Sequence, residues 1–336
     1  MIDNFWIDYF LIYKDNLKQN NKENWIDLET EIGNVVKELE NNMTGFEDIA
    51  IDKLTNIILK KFIEKNFDNN QCMTFREITD ILYNDLNKLI RLLEIYLSEY
   101  VEKIEIKKKV PEINVLTKID KTSVSVDMPR VICFNYTHTY QNVYFSEDVS
   151  SYVNYVHGEV DKGNTIESNN MVLGIDEYLK KKDRNKKIEF IGFKKFFQRI
   201  YKGTGCDYKI WIETIKKDDL EYHLKISSAE KTYAQNINSK KKSLSVSKHN
   251  RVEKEKIRHH VYFFGHSLDV TDKDIIRDLI LSETVHTTIY YYAEYDNDKR
   301  DLYQKIANLN KIIGQKNLIR KTGGSVKTIE FVPQKM

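Results

Sequence analysis

Three short apolar runs in this sequence each end in groups suited to chemistry on a sugar or a nucleotide. Phe134-Asn135-Tyr136-Thr137 supplies an amide, Tyr155-Val156-His157-Gly158 an imidazole, and Phe264-Gly265-His266-Ser267 a bare backbone and a hydroxyl. A neutral Asn donates and accepts hydrogen bonds, so it can hold a ribose or a water without adding charge. A His accepts a proton near neutral pH. Gly lets a ligand come up to the main chain, and Asp272 opens the next helical stretch, a position that also suits an N-cap. His138, three residues past Asn135, is a competing imidazole. Each residue has a structural role open to it as well: an Asn caps strand-to-loop turns, and a His at a strand end is commonly a hydrogen-bonded framework group. The convergence of several such ends favours the functional reading.

Two other chemistries are weaker. Gly265-His266-Ser267-Leu268-Asp269 imitates a nucleophile elbow, but Asp269 stands where that turn needs Gly, and only His286 remains downstream as a partner base. His157, His259, His260 and His266 could be imagined around a metal, but adjacent residues of a strand face opposite sides, and there is no HExxH or paired Cys.

These groups need a scaffold that brings strand ends together. Val131–Phe134, Tyr152–Val156, Met171–Ile175, Val261–Phe264, Thr287–Tyr295 and Val326–Val332 read as short buried strands. Helical patterns at Asp272–Leu281 and Lys299–Ile313 alternate with the later ones. This order predicts a mostly parallel sheet with helices on its faces, and ligands in such sheets sit beyond the carboxyl ends of the strands. Before Pro111 the pattern is helical throughout: apolar stripes run over Asp3–Asn16, Asn24–Glu40, Phe46–Phe62 and Thr74–Ile106. The predicted organisation is a helical N-terminal subdomain over residues 1–110 and an α/β core over 111–336.

Composition agrees. The 336 residues are 41% hydrophobic, enough for a sizeable core and against wholesale disorder. Gly and Pro number 12 and 3, where average usage would give roughly 40 together, which favours long helices over tight turns. Charge is balanced, 53 basic against 51 acidic, so no bulk field points to nucleic acid or a membrane surface. The basic runs Lys180–Lys187 and Lys240–Arg258 read as solvated loops. Cys72, Cys133 and Cys206 lie far apart and read as reduced intracellular thiols. The opening MIDNFWIDYF lacks a basic n-region, and the longest uncharged stretch, Val131–Ser146, is too short and polar to span a bilayer. The expectation is a cytoplasmic protein.

The segments NWIDLETEIG (Asn24–Gly33), FNYT, YVHGEV (Tyr155–Val160), VLGIDEY (Val172–Tyr178) and YFFGHSLDVTDKDI (Tyr262–Ile275), in this order, resemble the AbiH family of bacterial abortive-infection proteins, itself distantly similar to sirtuin-like antiphage domains. The resemblance implies phage defence on a Rossmann-like, sirtuin-like parallel sheet. It implies Asn135 and His157 as catalytic residues cleaving the nicotinamide–ribose bond of NAD, Gly265, Ser267 and Asp272 as nucleotide-binding residues, and no metal. NAD is then a substrate rather than a fixed cofactor. The partners to expect are a nucleotide and an unidentified phage or host trigger, with no membrane; a homo-oligomer is left open by the sequence. Asp27 and Glu29 of the first motif read as helix solubility beside the packing Trp25. The family's opening strand and Gly-Asn-Gly-Phe-Asp phosphate turn have no counterpart: the first glycine is Gly33, inside a helical pattern. Either the reading frame opens further upstream or the chain is a shortened form. The second alternative leads to another function, a non-catalytic sensor or interaction protein with a degenerate nucleotide fold.

Overall fold

The computed structural model describes residues 3–19, 27–44, 48–49, 51–66, 74–106, 109–113, 129–144, 153–176, 187–236, 256–295, 298–323 and 327–334. The chain divides into two compact units, Met1–Lys107 with Asp127–Cys206, and Lys108–Val126 with Asp207–Met336. Each mixes helices with short parallel strands.

The first unit opens with helices α1 (Phe5–Gln19) and α2 (Leu28–Asn41). On α1 the i, i+3/i+4 stripe buries Phe5, Trp6, Tyr9 and Phe10, and the Trp6 indole donates to the Leu82 carbonyl at 2.8 Å. Asp27 caps α2, accepting from the Thr30 amide at 3.1 Å; Trp25 lies outside the described residues. A two-residue antiparallel pair, β1 (Met43–Thr44) and β2 (Asp48–Ile49), follows. The helix expected over Phe46–Phe62 therefore starts late, as α3 (Ile57–Asn66). Asn56 sets that start: its Oδ1 accepts from the amides of Ile58 and Leu59, both at 3.1 Å, while the Glu38 carboxylate accepts from the Asn56 amide at 2.7 Å. Such side-chain competition for backbone donors is what stops and starts helices.

Helix α4 (Phe75–Tyr96) opens with a capping box between Thr74 and Glu77. Its Ile78, Leu82, Leu86 and Ile90 are fully buried at a spacing of four. The helix does not run to Ile106 as one piece. It passes into a π-helical turn, Leu97–Val101, closed by the Glu102 amide donating to the Leu97 carbonyl at 2.9 Å.

Strands β3 (Val131–Cys133) and β4 (Val153–Tyr155) are parallel, in register Val131↔Val153 and Cys133↔Tyr155, with the short helix α5 (Thr139–Tyr144) between them. Met171–Ile175 was expected as a third strand. It is buried and ladder-free apart from one parallel bridge, Ile175↔Lys194. Its backbone is satisfied instead by side chains and turns. The Leu173 amide donates to Gln198 Oε1 at 3.0 Å, the Tyr136 hydroxyl donates to the Val172 carbonyl at 2.7 Å, and Val172 N–H meets the His157 carbonyl at 2.8 Å. A buried chain must pair its main-chain groups, but nothing requires the partner to be a strand. Helix α6 (Lys195–Tyr201) closes the unit, and Met171, Leu173, Ile175, Phe190 and Phe193 complete one hydrophobic core with the N-terminal helices.

The second unit begins with α7 (Tyr208–Asn236), which the sequence reading passed over. Its buried positions, Tyr208, Ile212, Ile215, Tyr222 and Ala229, form a helical stripe diluted by charge. Strands β5 (His259–Phe263), β6 (Val285–Tyr292) and β7 (Ile329–Gln334) form a parallel sheet in the order β5-β6-β7. Helix α8 (Lys273–Ile280) makes the first crossover, and α9 (Arg300–Ile313) with α10 (Gln315–Thr322) the second. Ile275, Ile276 and Ile280 of α8, Val285 and Ile289 of β6, and Leu309 of α9 are buried in its core.

Among the described residues no helix is long and apolar enough to cross a membrane. The basic runs lie outside them except for Lys187 and 256–258. Lys187 Nζ caps the Glu40 carbonyl at 2.9 Å, and Lys256 and Arg258 pair with Glu283 and Asp218 at 2.8 and 2.9 Å.

Candidate functional site

In the first unit, Asn135 and His157 each lie two residues past the last register pair, Cys133↔Tyr155, at the carboxyl ends of neighbouring parallel strands. Their environments differ. Asn135 is exposed, and its carbonyl accepts from the Cys133 thiol at 3.5 Å. His157 is buried, with the rings of Phe134 and Tyr136 at 5.8 and 6.3 Å from its own. Gly158 makes the turn that follows. Its φ is +81°, and a Cβ there would stand 2.3 Å from the Asn170 carbonyl oxygen, so the position requires glycine.

The same strand ends hold a group the sequence reading ranked second. His138 lies between two carboxylates, with Nδ1 2.7 Å from Glu102 Oε1 and Nε2 2.9 Å from Glu159 Oε2. Its backbone amide also donates to Glu102, at 2.9 Å. The hydrogen bond to Glu159 raises the His138 pKa; partial burial opposes this, and the bond to Glu102 adds to it. A carboxylate at each nitrogen favours the protonated ring that donates twice, which makes His138 a poor base. Glu102 follows the π-helical turn, whose extra residue sets where α4 delivers that carboxylate. No periodicity in the sequence marks such an offset.

Burial shifts other titratable groups around these ends toward their neutral forms. Burial pushes the Cys133 thiol up to about 11, the Asn135 carbonyl notwithstanding. Burial likewise raises Tyr140 to about 12. Lys202 is brought down to about 8 by burial, against the pull of Glu94, and its Nζ donates to the Met171 carbonyl at 2.5 Å. Beneath them the fully buried Glu94 carboxylate gathers the Arg91 guanidinium, the Asn169 amide, the Asn164 amide at 2.7 Å and the Asp161 backbone N–H at 3.0 Å. That carboxylate ties the loop after His157 to α4. From the first motif, Glu29 does the same for α6 through Lys195, at 2.8 Å.

The second unit carries Gly265, Ser267 and Asp272 just beyond the carboxyl end of β5. Gly265 has φ +62° with nothing within 4 Å of where a Cβ would lie. Ser267 is exposed, and its carbonyl accepts from the Asn308 amide at 3.0 Å. Asp272 holds the N-cap position of α8 without making a side-chain cap. Its Oδ2 lies 3.4 Å from His266 Nε2 instead, while His266 Nδ1 accepts from the Leu268 amide at 2.8 Å. Gly265 and Ser267 border a cavity of about 360 Å³, lined also by Tyr290, Tyr292, Asp301, Lys305 and Gln334. These five come from β6, α9 and β7, and no local motif links them.

The elbow reading lacks its base. His286 pairs in register with His260, at the opposite end of the sheet from Ser267. The imagined metal set is dispersed too: His259 bonds Asp218 at 2.8 Å, His260 lies against His286, and no cluster of three or more metal-ligating side chains occurs among the described residues.

A family model, bacteriophage abortive infection AbiH, matches residues 3–293. The match spans most of both units, and the chain belongs to the AbiH family of phage-resistance proteins. No curated protein and no solved structure matches it.

Proposed function

We propose that this abortive-infection protein acts in the cytoplasm by hydrolysing NAD or a related nucleotide in infected cells, and that its parallel strands are the remnant of a Rossmann-like, sirtuin-like sheet. The observation that carries this reading is the placement of Asn135 and His157 at matched positions past two adjacent parallel strands, where ligands of such sheets bind. In the reaction a water oxygen bonds to the ribose C1′ while the bond from C1′ to the pyridine nitrogen breaks. Nicotinamide leaves with the electron pair, and ADP-ribose and one proton remain. Asn135 orients the water or the ribose hydroxyls, and His157 takes the proton. His138, clamped as a cation by two carboxylates, is a positioning residue that fixes the loop carrying Asn135. Gly265, Ser267 and Asp272, beyond the end of β5 in the second unit, are nucleotide-binding residues in their own right in this reading.

The test is phage challenge with NAD measured by mass spectrometry. Asn135→Ala and His157→Ala each abolish NAD loss and protection together; protection that survives both substitutions refutes the catalytic assignment. The burial of His157 between Phe134 and Tyr136 favours the second reading, a non-catalytic sensor. Its signature is intact protection with unchanged NAD.

A further inference from the structure

The cavity at the carboxyl ends of β5, β6 and β7 has a lining specific enough to name what it takes. Its volume, about 360 Å³, falls at the small end of the range of about 300–1,000 Å³ typical of ligand pockets. That volume matches one nucleoside. Tyr290 and Tyr292 stand two residues apart on β6 and so share a face of the sheet. The Tyr290 ring is stacked on Phe264, centroids 4.3 Å apart and planes 11° from parallel, which fixes it as a platform for a flat ring.

The charges decide against phosphate. Lys305 is the one cation of the lining, and it is consumed: its Nζ donates to the His266 carbonyl at 2.7 Å and pairs with Asp301 Oδ1 at 3.3 Å. The lining carries one positive and one negative group and is neutral in sum. Asp301 Oδ2 accepts from the Tyr292 amide at 2.7 Å, and the carboxylate is a third exposed. A carboxylate offers about four lone-pair sites, so two remain for a vicinal diol. Gly265, bare toward open space, lets a sugar edge lie against the main chain.

We propose that this cavity is a nucleoside site: a base lies against Tyr290 and Tyr292, the ribose 2′- and 3′-hydroxyls donate to Asp301, and any phosphate stays outside. This deepens the nucleotide reading above, resting on it only for the identity of the whole substrate.

The test is calorimetry on the purified full chain, with adenosine, 2′,3′-dideoxyadenosine and inorganic pyrophosphate as probes. Adenosine binds, and pyrophosphate does not compete. Tyr292→Ala and Ser267→Trp, both at exposed positions that leave folding intact, weaken adenosine about tenfold or more, the equivalent of about 1.4 kcal/mol. Asp301→Asn weakens adenosine by a similar factor and leaves the dideoxy compound unchanged. Absence of adenosine binding at millimolar concentration, competition by pyrophosphate, or equal affinity in Ser267→Trp overturns the proposal. No turnover is read, so NAD hydrolysis can fail while the nucleoside site stands, and the converse holds as well.

Discussion

Strands β3 and β4 are paired over three residues, whereas β6 is paired over five with β5 and over six with β7. Both sheets are parallel, and both deliver polar or glycine-containing loops at their carboxyl ends. In the first unit those loops are built into a dense polar framework, in which Glu94, Glu102 and Gln198 accept from main-chain amides and Tyr136 donates to a main-chain carbonyl, groups that a wider sheet would have paired. In the second unit the ladder itself supplies the order, and the strand ends open onto a cavity. A short sheet must use side chains to fix its loops, which places titratable groups in defined positions but fills the space around them. A longer sheet leaves that space vacant.

The contrast can be broken by substitution, beginning with the largest effect. Gly158→Ala forces a left-handed φ on a side chain that would meet the Asn170 carbonyl at 2.3 Å. It should cost about 4 kcal/mol, read as lost hydrogen-exchange protection over 131–176 with 259–292 unaffected. Glu94→Gln leaves the Arg91 cation without its buried partner and should cost about 3 kcal/mol, again confined to the first unit in the same measurement. Equal loss of protection in both units after either change would show that they are not separate in stability.

Glu283 offers the counterpart in the second unit. Burial raises its pKa, but the Lys256 hydrogen bond, the Lys321 charge and the Arg320 hydrogen bond outweigh that and bring it to about 2, below the usual 4.5. A depressed carboxylate stabilises above its unfolded pKa and loses that contribution as pH falls through the folded value. Glu283→Gln should therefore cost about 2 kcal/mol at neutral pH in urea unfolding, and the gap should close between pH 4.5 and 2. Thr74→Ala removes the exposed capping box of α4 and should cost about 1 kcal/mol by the same method. The gentlest probe is pH. His138 is raised above 6.5, so its contribution is complete below that value and fades as pH climbs through the folded pKa. His138→Gln should flatten the slope of the urea midpoint over the pH range above 6.5 in which the folded ring titrates; an unchanged slope would mean that the two flanking glutamates do not hold a charged ring.

Much of this architecture was legible in the sequence, for a physical reason. Val131–Cys133 and Val285–Tyr292 are apolar or β-branched runs bounded by polar breaks, and such runs declare themselves locally. Met171–Ile175 declares itself equally well and is no strand, because its partners, Gln198, Tyr136 and Lys202, are distant side chains that leave no trace in the run itself. Helix α7 was hidden for the opposite reason: its stripe is thin and its charges are many. At the strand ends, Gly265 and Ser267 could be read because a turn after a strand is a local signal. Tyr290, Tyr292, Asp301 and Lys305 could not, since only the crossover through α9 brings them to one cavity. His138 was visible as a residue, but its two glutamates arrive from positions 102 and 159, and charge partners so distant have no spacing rule.

The π-helical turn at Leu97–Val101 has a genetic corollary. It contains one residue more than α-helical winding would use, so relaxation to ordinary winding with every residue retained would swing Glu102 about 100° around the helix axis, whereas loss of one residue within the turn would absorb the excess and leave Glu102 in place. The link between the long helix and the His138 loop is thus encoded as a length, which an in-frame insertion or deletion in the stretch of helix between Ile90 and the turn would break.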